Sequence, residues 1–565
     1  MSVTKPGGAT STGFCNHGGD NAHLHHDSQH GMLALANKTV LVSQSLIPEI
    51  EEFLRQLSKR NKTTAITGVP TFLRNLKKSQ AVARRAVQEL SSAPQLPKDA
   101  VQLVSRRVDS CAVDLSKGLT HWDVLKRSRS LVAMNRAFQG SAKAARLEEI
   151  AKLSNLSSRQ KELTHRVMKQ QAKVEVHVVE GGAEWVDVRT LQPDRLARQM
   201  TDGGWGWGEH RLGDVVDEDE WGDIPLAKQI KRLVAAARIN RHEYRIPRLR
   251  IVMPNIGEDN VDVDVFLEQF TRLDPSVHVI VERQNGQLLQ TPPPSVEDAI
   301  RNLVGSELDG LTETVNLDHS VLVDLISDIT HLRLDPKPWQ AESTRAQIEE
   351  EAEHGGLMAK AIYPVLQGRR LVCTHEAAQH FHHVVGTVGT NSKRERGRLL
   401  VPFEEPYKSM SNAAIRARFQ ELSIHELPST VQLPAVVIPG SWTKERIEED
   451  FQSLPLPLPS VALDVARHCG FKSAKLSIFM YGWASGNMTL SSNKEIKAQL
   501  RTLVETHRRR DDDYGPSIWR VDVTRNLLAK SAKPCRDSEG DGRGDDWEQG
   551  AWIHSMGYIS SGNTT

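Results

Sequence analysis

The amino-acid sequence predicts an α/β protein with a helical N-terminal segment, a small α/β domain and a larger α/β domain with a mostly parallel sheet. Two observations lead to this fold class. Apolar residues recur at helical spacing as far as Lys173, and beyond it short valine-rich strands alternate with helical segments. The predicted ranges are disordered tails at 1–30 and 531–565, a helical region at 31–172, a small domain at 173–294 and a larger domain at 295–530.

The two tails are predicted from composition, because both are polar, glycine-rich and poor in apolar residues. The helical region is predicted from periodicity. One apolar stripe in it is formed by Ile47, Ile50, Phe53, Leu54 and Leu57. Basic residues between positions 74 and 85 are interpreted as a solvated helix face, with RNA contact as the alternative.

The small domain begins with an alternating strand, KVEVHVVE, which two glycines separate from EWVDV, so a hairpin is predicted. RLRIVMPNI and SVHVIVERQ flank a helical segment, which predicts a parallel pair of strands. Between the hairpin and these strands lies a segment rich in glycine, tryptophan and acidic residues, TDGGWGWGEHRLGDVVDEDEWGD, which is predicted to be a loop. Trp205 and Trp207 either anchor this loop or stack on a base or a protein partner.

In the larger domain we expect the strands that contain Leu317, Val372, Val437 and Phe479 to lie in one sheet, with Asp318 at its carboxyl edge. SIWRVDVTR is predicted to be the last strand. In doubly wound sheets, ligands bind at the carboxyl ends of the strands. Asp318 and Glu376 each follow a predicted strand directly, so they are candidate ligands of a divalent cation. Helix-capping acids explain the same pattern equally well.

Composition and motifs exclude several classes of protein. Lys and Arg total 72 and Asp and Glu total 71, so the net charge of +1 excludes a globally basic nucleic-acid coat. The sequence contains neither an apolar run long enough to cross a membrane nor an apolar leader. The five cysteines are far apart and never in a CxxC pair, which predicts a reducing, cytoplasmic or nuclear location.

Two further motifs are excluded by their spacing. His375 and His380 are five residues apart, about 140° on a helical wheel, whereas a zinc protease needs two histidines four residues apart. The run Gly203–Gly208 has no following Lys-Ser or Lys-Thr, so it is not a phosphate-binding P-loop.

Several segments resemble an uncharacterised eukaryotic family, domain of unknown function 1308, over about three quarters of the chain. The segments that carry the resemblance are Gly118–His121, Val174–Val188, Thr314–Ser327, Leu371–Phe381 with Lys393–Arg396, and Ser477–Gly482. The C-terminal half of that family is classed as PIN-like, the fold of metal-dependent ribonucleases. The resemblance therefore implies a PIN-like three-layer α/β/α domain from about residue 295.

The resemblance also implies site residues. PIN nucleases hold Mg²⁺ or Mn²⁺ with three or four acids, and by the match Asp318 is the first acid, Glu376 the second and Glu395 a candidate third. The match departs from the family at the final strand, where Trp483 stands in place of an acid. The basic residues that would attract an RNA backbone are Lys393, Arg394, Arg396 and Arg398.

Two functions follow as hypotheses. The first is a metal-dependent endoribonuclease, or an RNA-binding derivative of one, in which Asp318, Glu376 and Glu395 are catalytic and the first two hold a weakly bound Mg²⁺ or Mn²⁺ ion. The second is a catalytically inactive PIN-like scaffold in a protein or ribonucleoprotein assembly, with the Gly- and Trp-rich loop as a surface for protein partners. Neither hypothesis involves a membrane.

Overall fold

The computed structural model describes residues 20–60, 66–92, 97–153, 156–181, 183–305, 308 and 310–528. They form two compact units. Unit 1 contains the described residues up to 242 and those from 246 to 305, and unit 2 contains residues 243–245 and those from 308 to 528. The predicted tail at 531–565 lies outside the described residues, as does the part of the first tail at 1–19.

Unit 1 contains one five-stranded sheet and helices on both of its faces. The strands are β1 (Leu131–Gln139), β2 (Lys173–Glu180), β3 (Glu184–Val188), β4 (Arg248–Met253) and β5 (Val279–Arg283). The helices are α1 (Asp20–Arg60), α2 (Val69–Ser92), α3 (Lys98–Lys126), α4 (Lys143–Lys152), α5 (Ser158–Gln171), α6 (Pro193–Asp202), α7 (Glu218–Trp221), α8 (Pro225–Ile239), α9 (Val261–Gln269), α10 (Gln287–Gln290) and α11 (Val296–Val304), with a 3₁₀ turn at Phe270–Arg272.

The strands of unit 1 follow the order β1-β2-β3-β4-β5. β1, β2 and β3 pair antiparallel, and β3, β4 and β5 pair parallel, so the predicted hairpin and parallel pair are both present. Strand β3 is buried on both faces, because Trp185 packs in the core beside α8 while Val186 packs in the core beside α2 and α3. A sheet between two helical layers results.

Three sequence-based boundaries in this part of the chain are wrong. β1 lies in the region predicted to be helical and pairs with β2 along its length, so the helical region and the small domain form one compact unit. α11 packs on α3 and α1, which places residues 296–304 in unit 1 instead of the larger domain. α1 begins at Asp20, inside the predicted tail. In the first two cases a pairing or packing partner distant in sequence decides the assignment.

Unit 2 also contains one five-stranded sheet. Its strands are β6 (Thr314–Leu317), β7 (Arg370–Thr374), β8 (Val436–Ile438), β9 (Met488–Ser491) and β10 (Ile518–Arg520). Its helices are α12 (His319–Ile326), α13 (Asp328–His331), α14 (Glu342–His354), α15 (Leu357–Leu366), α16 (His375–Val388), α17 (Asn391–Leu400), α18 (Asn412–Glu421), α19 (Lys444–Glu449), α20 (Val461–His468), α21 (Ser473–Ser485) and α22 (Ile496–His507), with 3₁₀ turns at Tyr407–Ser409 and Phe451–Ser453.

The strands of unit 2 follow the order β10-β9-β6-β7-β8, and all four pairings are parallel. The chain order along the sheet therefore reverses between β6 and β9, as at the switch point of a doubly wound fold. Leu317 belongs to the core on one face of the sheet, and Val372 belongs to the core on the other. The predicted α/β class, with a mostly parallel sheet between helical layers, is confirmed.

Three of the four residues expected in this sheet, Leu317, Val372 and Val437, lie in it, but Phe479 does not. The segment Ser477–Gly482 lies in α21, which is buried from Leu476 to Trp483, and the strand follows later as β9. A short run of apolar residues lacks the polar face that would distinguish a buried helix from a buried strand. For this reason the sequence predicts a strand where the structure has a helix. Trp483 consequently lies in a helix and not at the end of the final strand.

Replacing Trp483 with Asp should strongly destabilise unit 2. The indole is 1% exposed and packs edge-on against Tyr514, with ring centroids 6.5 Å apart. Loss of the indole and burial of a carboxylate should together lower the free energy of unfolding by about 4 kcal/mol or more. Denaturant unfolding of Trp483→Asp measures this, with Trp339→Asp as the control because Trp339 is 43% exposed. An unchanged midpoint for Trp483→Asp would contradict the position of α21.

Candidate functional site

The carboxyl edge of the parallel sheet carries a buried acid at the point where the strand order reverses. Asp318 directly follows β6 and occupies the N-cap position of α12, but its side chain accepts no hydrogen bond from the helix backbone. Oδ2 instead accepts hydrogen bonds from the hydroxyls of Ser491, at 2.5 Å, and Ser320, at 2.9 Å. Helix capping therefore does not explain the position of this carboxylate.

The Asp318 carboxylate is ionised although it is only 1% exposed. Burial opposes the charge, but His319 and the hydroxyls of Ser491 and Ser320 lower the pKa of Asp318 below its usual range. Nδ1 of His319 lies 2.8 Å from Oδ1 but without the geometry of a hydrogen bond, so Oδ1 is a buried oxygen with no donor. A buried carboxylate oxygen in this state is a candidate ligand atom.

A second buried acid, Asp324, lies close to the first, two helical turns into α12. Oδ2 of Asp324 accepts a hydrogen bond from the Ser492 hydroxyl, and Oδ1 accepts one from the backbone N–H of Arg525 at 2.7 Å. Burial raises the pKa of Asp324 to about 7. The two serines at the end of β9 therefore donate to one acid each. Ser491 donates to Asp318, which is ionised, and Ser492 donates to Asp324, which is largely protonated below neutral pH.

Glu376 lies at the same edge of the sheet, in the first turn of α16 directly after β7. Its Oε1 accepts a hydrogen bond from the backbone N–H of Trp442 at 2.7 Å, and its Oε2 is buried with no donor. One turn further along α16, the ring of His380 lies 5.6 Å from the ring of His319. Asp318 and Glu376 thus follow neighbouring strands, and each has one buried oxygen without a donor.

Glu395 does not join these acids. Its carboxylate accepts a hydrogen bond from the Tyr407 hydroxyl at 2.6 Å and lies 3.6 Å from Arg418. Across the part of the chain that the structure describes, no group of three or more His, Cys, Asp or Glu side chains is arranged to hold a metal ion. The structure therefore does not assemble the three-acid cluster expected from Asp318, Glu376 and Glu395.

Two of the four residues expected to bind nucleic acid are in the core. Lys393 and Arg396 are fully buried and form ion pairs with Asp328, the lysine at 3.2 Å. Burial opposes ionisation of Asp328, but Lys393 and its hydrogen-bonding neighbours lower its pKa. The expectation is wrong for these two because residues three apart on a helix share a face, here the inner one. Arg398 is exposed over the ring of Tyr407, and Arg394 is half-buried and donates to the Gly386 carbonyl at 2.6 Å.

Lys475 is a member of this edge that sequence reasoning missed. It lies in the first turn of α21, where burial lowers its pKa and the Asp318 carboxylate offsets part of that effect. The ammonium group therefore lies near the ionised acid. Because the sequence predicts a strand over AKLSIFMYG, which contains Lys475, no sequence signal assigns this lysine to the carboxyl edge.

The Gly- and Trp-rich loop of unit 1 is anchored by its first tryptophan. Trp205 is buried, and its indole N–H donates to Asp262 Oδ1 at 3.2 Å. Trp207 is partly exposed, and its indole N–H donates to the Thr201 hydroxyl at 3.1 Å. Of the two tryptophans, Trp205 is therefore unavailable for stacking on a partner.

Comparisons with known proteins leave the family open: no protein-family model matches the chain, and neither the curated proteins nor the solved structures contain a match. Among the helices of the described segments, none is both long enough and apolar enough to cross a membrane.

Replacing Asp324 with Asn should change how stability depends on pH. A carboxyl whose pKa is raised to about 7 on folding stabilises the fold fully below its unfolded value, and this contribution is lost as pH rises to the folded value. We expect the stability of the wild type to fall relative to Asp324→Asn between about pH 4 and pH 7. Urea unfolding at several pH values measures this, and parallel profiles for the two proteins would contradict the assignment.

Proposed function

We propose that unit 2 is a PIN-like domain that acts on RNA and holds a single divalent cation, Mg²⁺ or Mn²⁺, between Asp318 and Glu376. The observation that carries the proposal is the pair of buried carboxylate oxygens without donors, Asp318 Oδ1 and Glu376 Oε2, after neighbouring parallel strands. Hard divalent cations prefer carboxylate oxygens, so these two atoms fit such an ion. Their location beside the switch point of the sheet adds further support.

The reaction that we propose is hydrolysis of a phosphodiester bond. A bound divalent ion would supply Lewis acidity, lowering the pKa of a water and stabilising charge on the phosphate. The protein keeps Asp318 ionised through the hydroxyls of Ser491 and Ser320. Lys475 adds a positive charge near Asp318 that attracts the RNA backbone.

A catalytically inactive scaffold is the second candidate, and the end of β9 favours it. The residues there are Ser491, Ser492 and Asn493, where a nuclease of this class would be expected to add another acid. The Ser491 hydroxyl donates to one oxygen of Asp318, and the Ser492 hydroxyl donates to one oxygen of Asp324. Fewer carboxylates mean weaker cation binding, so activity, where present, should be low.

The test combines Mn²⁺ binding, followed by electron paramagnetic resonance of the free ion, with cleavage of a single-stranded RNA. Asp318→Asn should abolish both while leaving the thermal midpoint within a few degrees, because Asn keeps the shape of the side chain. Asp335→Asn is the matched control, since the Asp335 side chain is 90% exposed in the same unit, and it should behave as the wild type.

If Asp318→Asn does not fold, Glu376→Gln provides a second variant. Because Glu376 is one of the two proposed ligands, this change should weaken Mn²⁺ binding about tenfold or more. Binding without cleavage in the wild type would support the scaffold. Absence of Mn²⁺ binding at millimolar concentration, or equal binding by the wild type and both variants, would overturn the metal site.

A further inference from the structure

Unit 1 contains a polar cluster formed by two histidines, an aspartate and an arginine. His121 lies near the end of α3, His177 lies in β2, and their ring centroids are 4.5 Å apart. Asp187 lies in β3, with Oδ1 2.7 Å from Nδ1 of His177 and Oδ2 2.5 Å from Nε of Arg189. Three side chains, those of His121, His177 and Arg189, thus converge on the fully buried carboxylate of Asp187.

The cluster has unsatisfied hydrogen-bonding capacity. Nδ1 of His177 lies 3.0 Å from the backbone N–H of Val188 as well as 2.7 Å from Asp187. It accepts from Val188 only when unprotonated, and Asp187 Oδ1 is then a buried oxygen without a donor. Burial opposes ionisation of Asp187, but His177 and Arg189 lower its pKa, so its charge persists. Asp187 therefore holds His177 and Arg189 in place beside each other.

The cluster lines a cavity of about 400 Å³ whose charge favours an anion. The cationic side chains that line it are those of Lys173, Arg189 and Arg232, and the acidic ones are Asp187 and Glu175. Burial and the neighbouring His177 lower the pKa of His121 to about 4, so His121 is neutral near pH 7 and can donate through its N–H. Arg189, which forms an ion pair with Asp187, would repel a cation at this position.

A groove of about 630 Å³ adjoins this cavity, because His121 lines both. The groove lies between α2 and α3 and carries the exposed cations Lys78, Arg106 and Lys117, with Asp114 as its acid. Positive charges spaced along a groove match the repeated phosphates of a nucleic-acid strand, whereas a phosphopeptide presents an isolated phosphate. A recessed groove also excludes a flat membrane surface.

We infer that unit 1 binds single-stranded nucleic acid along the groove between α2 and α3, with one backbone phosphate held in the cavity of His121, His177 and Arg189. The phosphate oxygens accept hydrogen bonds from the imidazole N–H groups and the guanidinium, while Asp187 orients His177 and Arg189. This site is separate from the carboxyl edge of unit 2 and needs no divalent cation. Its test is therefore run in a chelator, so that its outcome is independent of the proposed metal site.

The experiment measures fluorescence anisotropy of a labelled single-stranded RNA with the full chain, in EDTA and at increasing salt. Lys117→Ala in the groove should weaken binding about threefold or more and reduce the salt slope by about one, the signature of a lost phosphate contact. His177→Gln in the cavity should weaken binding about tenfold, because it replaces an imidazole that donates to the phosphate. Lys228→Ala is the control, since Lys228 is exposed and pairs with Asp223.

Lys173→Ala, at an exposed position of the cavity, keeps the test decisive if His177→Gln does not fold. Equal affinities for the wild type, Lys117→Ala and Lys173→Ala would overturn the inference. Binding of a phosphopeptide or of anionic vesicles as tight as that of RNA would overturn it as well, and would assign the groove to that partner.

Discussion

The parallel pairing of β6 with β9 is the contact on which the organisation of unit 2 depends. At the point where the strand order reverses, the backbone N–H of Asp318 donates to the carbonyl of Leu490, which fixes the two strand ends side by side. The hydroxyl of Ser491 is thereby brought within 2.5 Å of the Asp318 carboxylate. In folds with such a switch point, ligands bind at the carboxyl ends of the strands beside it.

Two of the buried charged groups of unit 2 are paired with side chains of opposite charge inside the fold. Asp328 is matched by Lys393 and Arg396, and Arg525 is matched by Glu351 at 2.5 Å, so their charges are compensated inside the fold. Such pairs define the packing of the elements that carry them, and breaking one leaves an uncompensated buried charge.

The Asp318 carboxylate lies 2.8 Å from Nδ1 of His319, and its Oδ1 accepts no hydrogen bond. In unit 1 the Asp187 carboxylate has the same property, at a cluster built from three other side chains. A buried carboxylate oxygen that the fold leaves without a hydrogen bond is unfavourable unless something else completes it. For Asp318, this argument supports the candidate cation site from the structure, without reference to any relative.

The sequence by itself determined the α/β class, the parallel sheet of unit 2 and the location of Asp318 and Glu376 directly after neighbouring strands. These features depend on local periodicity and on the rule that the carboxyl ends of parallel strands meet at one edge. Periodicity could not show that Ser477–Gly482 is helical or that β1 is a strand, because both are decided by partners distant in the chain.

Only the tertiary structure decided which charges are buried. Lys393 and Arg396 look like a surface basic motif in the sequence, yet they face inward because Asp328 lies opposite them. Likewise, His121, His177 and Asp187 are ordinary residues of a helix and two strands until β2 and β3 pair and α3 packs against them. Burial, hydrogen-bond satisfaction and pKa are properties of the surroundings of a side chain, and the surroundings exist only once the chain has folded.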